Sequence, residues 1–385
     1  MTQTFRDSLV AQLRDSGALR TAPWEDAFAA VPREVFVRHC YRQDTDRQGI
    51  AVWRPCSTTE WINLVYSDQT LVTRLDPATA DLTADGGWTG VATSSSTQPS
   101  IMAKMLEALD VQDGHRVLEI GTGTGYTTAL LCARLGHDKV TSIDIDPETV
   151  TAARAALATL GMYPDLAVGD GRLGWPTERA FDRLIATCSI SRLPDQWRRQ
   201  VRQGGVILAD LATGLEGGLI AWTIRADGGA DGWFTAATGR FMPARASADS
   251  YPAAPRVSWA PQNGERHTKV SGGDVRRYYP FRLLLALLHP DLELAYWMGD
   301  DGVPHLQLQT TAGAWARAPL PEGEVVSWGG PDCLWDQVET AWEWWTQTDR
   351  PDHTAFGVTV SPTGEHRATW RISDRHGHID KGHAT

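Results

Sequence analysis

No stretch of this 385-residue chain stays apolar for the roughly 20 residues that a membrane-spanning helix needs, so no membrane partner is expected. The opening residues, MTQTFRDSLVAQLRDSG, carry acids and no apolar core, which predicts no signal peptide. Cysteine is scarce. Cys40, Cys56, Cys132, Cys188 and Cys333 are scattered without CxxC spacing, which points to reduced thiols in a cytoplasmic protein and excludes a disulfide frame or zinc site. Positive charge is in deficit. A net charge of −11 lacks the basic face that phosphate neutralisation needs, so no nucleic-acid partner is expected. Arg192, Arg198, Arg199 and Arg202 lie close together and read as a solvated helix face. The chain has no HExxH, no Cys-His pairing and no Gly-x-Ser-x-Gly, and no metal is implied. What it does have is 42% hydrophobic content, enough for two domains with cores.

The most informative segment is VLEIGTGTGY, Val117–Tyr126. Apolar residues form a strand, an acid stands near its end, and a glycine-rich turn opens a helix. Gly121, Thr122, Gly123, Thr124 and Gly125 make a turn on which a ligand can lie, because glycine has no Cβ to obstruct close approach. The next strand ends in Asp144, 19 residues beyond Gly125, where a doubly wound fold places a ribose-binding acid. Three readings stay open on this segment: a turn without ligand, a nicotinamide dinucleotide, and S-adenosylmethionine. Glu119 favours the last. An acid there suits the cationic amino acid end of that molecule and serves little purpose beside a pyrophosphate.

Around this segment the pattern divides the chain into 1–93, helical then irregular from 41; 94–245, the sheet core; a Pro/Ala/Gly/Ser-rich linker at 246–274; and 275–385, a smaller α+β domain. Within the core, strands are expected near 117–121, 139–143, 165–168, 181–187 and 205–210, with helices near 125–135, 147–160 and 193–202 between them. That alternation is α/β, a doubly wound parallel sheet. Further strands are expected at Leu219–Ile224 and Phe234–Phe241. Nine of the 17 tryptophans stand at or after position 259. Leu334, Val338, Trp342 and Trp345 form one helical stripe, which suits a core; the other tryptophans could offer an aromatic surface to a peptide. His376, His378 and His383 lack ligand spacing and read as a mobile end.

The segments AVPREVFV, STQPSIMAKMLEAL, VLEIGTGTGYTTALL, VGDGRLGW, FDRLIATCS and GRFMPA occur in that order over residues 5–245. Together they resemble the protein-L-isoaspartate O-methyltransferases, within the class I S-adenosylmethionine-dependent fold. The resemblance implies that Gly121, Thr122, Gly123 and Gly125 line the methionine and ribose side, and that Asp144 takes the ribose hydroxyls. It gives Asp170 and Gly171 the adenine edge, and puts Thr187 beside the transferred methyl. The loop Ser94–Gln98, with Ser95, Ser96 and Thr97, would orient the acceptor carboxylate; Asp68 falls near the family's acidic loop residue. This chain departs from the pattern at Thr97, where the family has serine.

Such a site needs no general base, because a carboxylate with a reference pKa near ~4 is already ionised at neutral pH. Repair enzymes of the family are expected to end near the linker. With its extra aromatic domain the chain resembles actinobacterial methyltransferases that accompany ribosomally made peptides, in graspetide or lanthipeptide pathways. That implies an aspartate of a macrocyclic peptide as acceptor, giving an ester that closes to aspartimide and opens to isoaspartate. Two other expectations stand beside it: a repair enzyme for isoaspartyl damage, and a non-catalytic peptide binder on a methyltransferase scaffold.

Overall fold

The computed structural model describes residues 2–46, 51–177, 180–248, 259–299, 302–321, 325–372, 375–380 and 383–384. Two compact units emerge: Met1–Cys188 with Pro194–Leu208 and Phe241–Ser250, and Ser189–Leu193 with Ala209–Arg240 and Tyr251–Thr385.

The first unit begins with α1 (Thr2–Asp15) and α2 (Ala22–Ala30), which bury Leu9, Leu13, Trp24 and Phe28. The stretch after residue 41, expected to be irregular, instead folds into β1 (Tyr41–Thr45), β2 (Ala51–Pro55), α3 (Thr58–Val65), β3 (Leu71–Leu75) and β4 (Ala92–Ser96). The strands form an antiparallel sheet in the order β2-β1-β3-β4. β1 and β4, YRQDT and ATSSS, are short and polar, so cross-strand pairing that no local pattern announces decides their conformation.

α4 (Pro99–Ala108) precedes β5 (Val117–Ile120), α5 (Tyr126–Leu135), β6 (Val140–Asp144), α6 (Pro147–Thr159), β7 (Asp165–Val168), β8 (Phe181–Ile190) and α7 (Asp195–Gln200). These strands pair in parallel, in the order β8-β5-β6-β7. The expected α/β alternation is present. All four residues of β5 are buried, as a strand covered on both faces requires. α6 starts sharply because Asp146 accepts from the N–H groups of Glu148 and Thr149, with Pro147 in the first turn. β5 has β6 on one side and β8 on the other, so the chain order reverses there and opens a crevice at the carboxyl ends of these strands.

β9 (Val201–Ala212) starts in the first unit and ends in the second. In the second unit follow β10 (Gly217–Ile224), β11 (Ala230–Phe234), β12 (Gln262–His267), α8 (Gly272–Arg277), α9 (Tyr279–Leu288), β13 (Glu293–Met298), β14 (Pro304–Gln309), β15 (Trp315–Pro319), β16 (Val325–Gly329), α10 (Trp335–Gln347), β17 (Phe356–Val360), β18 (His366–Ile372), β19 (Arg375–Asp380) and β20 (His383–Ala384). One antiparallel run has the order β20-β19-β18-β17-β11-β10; a separate five-stranded sheet has the order β12-β16-β15-β14-β13.

Several expectations need correction here. The strand placed at Phe234–Phe241 is β11, which ends where that range begins. Part of the expected linker is β12 and the start of α8, whose capping box joins Ser271 and Asp274; residues 249–258 of it lie outside the described residues. His376 and His378, read as part of an irregular tail, stand on β19, which pairs along β18, and His383 stands on β20. The tryptophan stripe of α10 is core. Trp335 and Trp345 are fully buried, their indole N–H groups donating to Val270 and Pro351 carbonyls, and Trp342 meets Phe281 edge-on at 4.9 Å. No helix among the described residues is long and apolar enough to cross a membrane.

Candidate functional site

The crevice is built around the turn after β5. Gly121, Gly123 and Gly125 have φ of +93°, +51° and +87°, the left-handed region where a side chain is strained. Their surroundings differ. A Cβ on Gly121 would stand 2.6 Å from the Thr187 hydroxyl, and one on Gly125 3.0 Å from Ala153. A Cβ on Gly123 would meet only the Ser95 carbonyl, 3.9 Å away. Gly121 and Gly125 are therefore needed for packing, whereas Gly123 leaves backbone open under β4.

Asp144 closes the far side of the turn. Its carboxylate accepts from the Gly123 N–H at 2.8 Å and the Asp146 N–H at 3.1 Å. Burial raises its pKa, and the two N–H groups oppose that rise. The Gly169 N–H donates to the Asp144 carbonyl, which brings Asp170 and Gly171 to the same rim. Gly171 packs so tightly on β5 that a Cβ would fall 2.4 Å from Ile120. Burial alone would raise Asp170, but the Arg172 guanidinium and N–H outweigh it and hold the carboxyl below its ordinary value. The Thr187 hydroxyl donates to the Gly121 carbonyl at 2.7 Å.

Glu119 does not face the crevice. It is 0% exposed, and one carboxylate oxygen accepts from Thr128 at 2.5 Å and Ser142 at 2.8 Å, while the other has no hydrogen-bond partner. Ser142 in turn meets the Thr122 hydroxyl at 2.6 Å. The expected position beside a cationic ligand group is thus corrected: a central parallel strand is covered on both faces, and an acid there is trapped beneath the turn. Its place fits a brace for Thr122. Burial pushes its pKa from 4.5 to about 7, against the two hydroxyl donors. The folded state therefore holds the extra proton, and its stabilising contribution is complete below the unfolded value and lost as pH rises through about 7. In Glu119→Gln, stability should fall less between pH 5 and 8 than in the parent, the difference approaching roughly 3 kcal/mol. Urea unfolding across that range is the check; parallel curves would refute it.

Over the turn stands the Ser94–Gln98 segment. Its first residues belong to β4 and are not a free loop. Ser96 is buried, Ser95 and Thr97 half-buried. Asp68 ties down the start of α4, accepting from the Ser100 N–H at 2.8 Å and from the Gln98 amide at 3.1 Å.

Sequence reasoning gave Arg33 no role. It is 0% exposed, and its guanidinium donates to the carbonyls of Val65, Ser67, Gln69, Ser96 and Thr97 and to the Ser96 hydroxyl, at 2.8–3.4 Å. It joins the segment on both sides of Asp68 to the segment that crosses the glycine turn. An arginine next to Glu34 inside the otherwise apolar run AVPREVFV was the available signal, since a charge buried there must find partners.

Thus Gly123, Asp144, Ser95, Asp170, Gly171 and Thr187 come together at one crevice; Thr97 and Asp68 lie in the segments beside it; Glu119 and Thr122 lie beneath the turn. Among the described residues no three His, Cys, Asp or Glu side chains converge as metal ligands would.

A family model, protein-L-isoaspartate(D-aspartate) O-methyltransferase, matches residues 83–227. A protein-L-isoaspartate O-methyltransferase of Dictyoglomus turgidum is 32% identical over 205 residues, 53% of this chain and 74% of that protein. Proteins of the same name from Methylorubrum populi and Anaeromyxobacter dehalogenans are 41% and 46% identical over 33% and 28% of this chain. The chain spans only 58% and 52% of their own lengths. A solved structure named protein-L-isoaspartate O-methyltransferase superposes with a TM-score of 0.55 at 21% identity, over 95% of this chain and all of that one. The fold is the class I methyltransferase fold with a further sheet-rich unit.

Proposed function

Because this chain belongs to the protein-L-isoaspartate O-methyltransferase family, we propose that it is an S-adenosylmethionine-dependent carboxyl O-methyltransferase acting on isoaspartyl residues. The observation that carries this is the Ser95 carbonyl standing over Gly123: one strand end from the Ser94–Thr97 segment faces the single open glycine of a ligand-binding turn. The residues fit the donor. Gly123 and Thr124 offer half-exposed backbone, Asp144 supplies a carboxylate fixed by two N–H groups, and Gly169–Gly171 close the rim. S-Adenosylmethionine, when bound, supplies an activated methyl group.

The protein's own task is to hold an acceptor carboxylate in line and exclude water, which can supply several kcal/mol of barrier reduction. In this reading the Thr97 hydroxyl donates to that carboxylate. The Arg33 guanidinium lies buried behind Thr97, donating to its carbonyl at 3.1 Å, and favours negative charge in front of it. Thr97→Ala should lower turnover by roughly tenfold to a hundredfold, the worth of one hydrogen bond to a charged group. Thr97→Ser should restore it, and affinity for S-adenosylhomocysteine should not move. An equal loss of affinity would assign Thr97 to the donor site instead.

A second reading takes the acceptor to be an aspartate of a macrocyclic ribosomal peptide, with an aspartimide as product. Thr97 favours it, since its added methyl narrows the place where the family has serine. Intact-mass analysis separates the two. Gain of one methylene mass on a short linear isoaspartyl peptide supports the first; methylation or net loss of water on a macrocyclic aspartyl peptide alone supports the second. No transfer to either would leave a non-catalytic binder.

A further inference from the structure

The five-stranded sheet of the second unit has two edges of opposite character. One edge, β12, reads QNGERH, is charged and carries an irregularity between Gln262 and Gly264. Those are the usual defences of an exposed edge. The other, β13, reads ELAYWM and pairs with β14 in unbroken register. Tyr296, Trp297 and Met298 are 60%, 43% and 63% exposed. The Leu294 N–H donates to the Gly214 carbonyl at 3.0 Å, and the Gly299 N–H closes the hairpin on Val303. Leu294 therefore points its backbone groups away from β14, and by the two-residue period so do Tyr296 and Met298. No partner for the Tyr296 or Met298 N–H stands among the described residues.

Each face of this edge carries a guanidinium above an aromatic ring. On one face Arg317 lies over Trp297 at 4.0 Å and over Trp315 at 4.2 Å, hydrogen-bonded to Gln307. On the other, Arg276 lies over Tyr296 at 5.8 Å. Neither arginine forms an ion pair with a carboxylate among the described residues. On the Arg317 face, Glu293 is reached only through Gln307 and Gln309.

We propose that β13 takes up an extended acidic peptide segment as a sixth strand of this sheet. Main-chain hydrogen bonds to Tyr296 and Met298 would set the register, as in strand addition elsewhere. Successive residues of an added strand alternate faces about 4.8 Å from β13. Two adjacent acidic residues would then send one carboxylate to Arg317 beside Trp297 and the other to Arg276 beside Tyr296. This inference goes beyond the methyl-transfer reading and stands independently of it.

The test is fluorescence anisotropy with the full chain and a labelled Val-Thr-Asp-Glu-Val-Thr peptide. The expected result is saturable binding, weakened at least about tenfold when the peptide carries Asn-Gln instead, and as much in Arg317→Gln/Arg276→Gln, the worth of one charged hydrogen bond or more. Met298→Pro, which removes an edge N–H, should act likewise, and a peptide N-methylated on its edge-facing amides serves if that variant does not fold. Equal binding of the amide peptide, or unchanged binding by the double variant, overturns the proposal. Tighter binding of an oligothymidylate would make the site one for nucleic acid, and a dimer that Met298→Pro converts to monomer would make the edge a self-contact; either overturns it. Methylation of a short isoaspartyl peptide should be unchanged in these variants.

Discussion

Arg33→Ala is expected to lower the stability of the first unit by about 4 kcal/mol, because it strands several buried acceptors at once. The guanidinium serves five carbonyls and one hydroxyl from two segments distant in sequence, and no other described side chain reaches the set. Arg33→Lys keeps the charge but replaces a planar fork of five donors with one ammonium of three. It should recover only part of the loss. Guanidinium unfolding followed by circular dichroism measures both variants, and hydrogen exchange should show lost protection at 65–70 and 96–98. Turnover should fall further than stability alone accounts for, since the same carbonyls position Thr97. A lysine variant within about 0.5 kcal/mol of the parent, the scatter of an ordinary surface substitution, would remove Arg33 from this role.

Asp144→Ala is expected to weaken S-adenosylhomocysteine binding about a hundredfold, near 3 kcal/mol, the sum of two hydrogen bonds to a charged acceptor. The carboxylate anchors the turn through Gly123 and is the proposed ribose partner, so both anchoring and contact are lost. Asp144→Asn retains one acceptor for Gly123 and should lose about tenfold, one such bond. Calorimetric titration gives the affinities, and melting temperature separates a loosened turn from a lost contact. Unchanged affinity in Asp144→Ala would place the ribose elsewhere.

The core of the site was legible because its chemistry is local. A left-handed turn demands glycine within a few residues of the strand that feeds it, and the acid closing β6 lies one crossover away. Both therefore appear at fixed spacing. Glu119 was legible as a residue and misplaced as a group. The sequence marks an acid at the end of a strand, but which face it meets depends on α5 and β6, which supply Thr128 and Ser142. Arg33 was hidden because its partners are backbone carbonyls, which leave no trace in side-chain identity.

The same division runs through the whole molecule. Sequence by itself determined the alternating α/β core, the glycine turn with Asp144, and the apolar stripe of α10, since each follows from hydrophobic period or backbone sterics over a short span. Only the tertiary structure decided that residues 41–96 pair into a sheet, that Ser95 stands over Gly123, and that β13 is left as an aromatic edge with two arginines above its rings. These outcomes rest on pairing between segments far apart in sequence, where the free energy comes from partners that neither segment encodes alone.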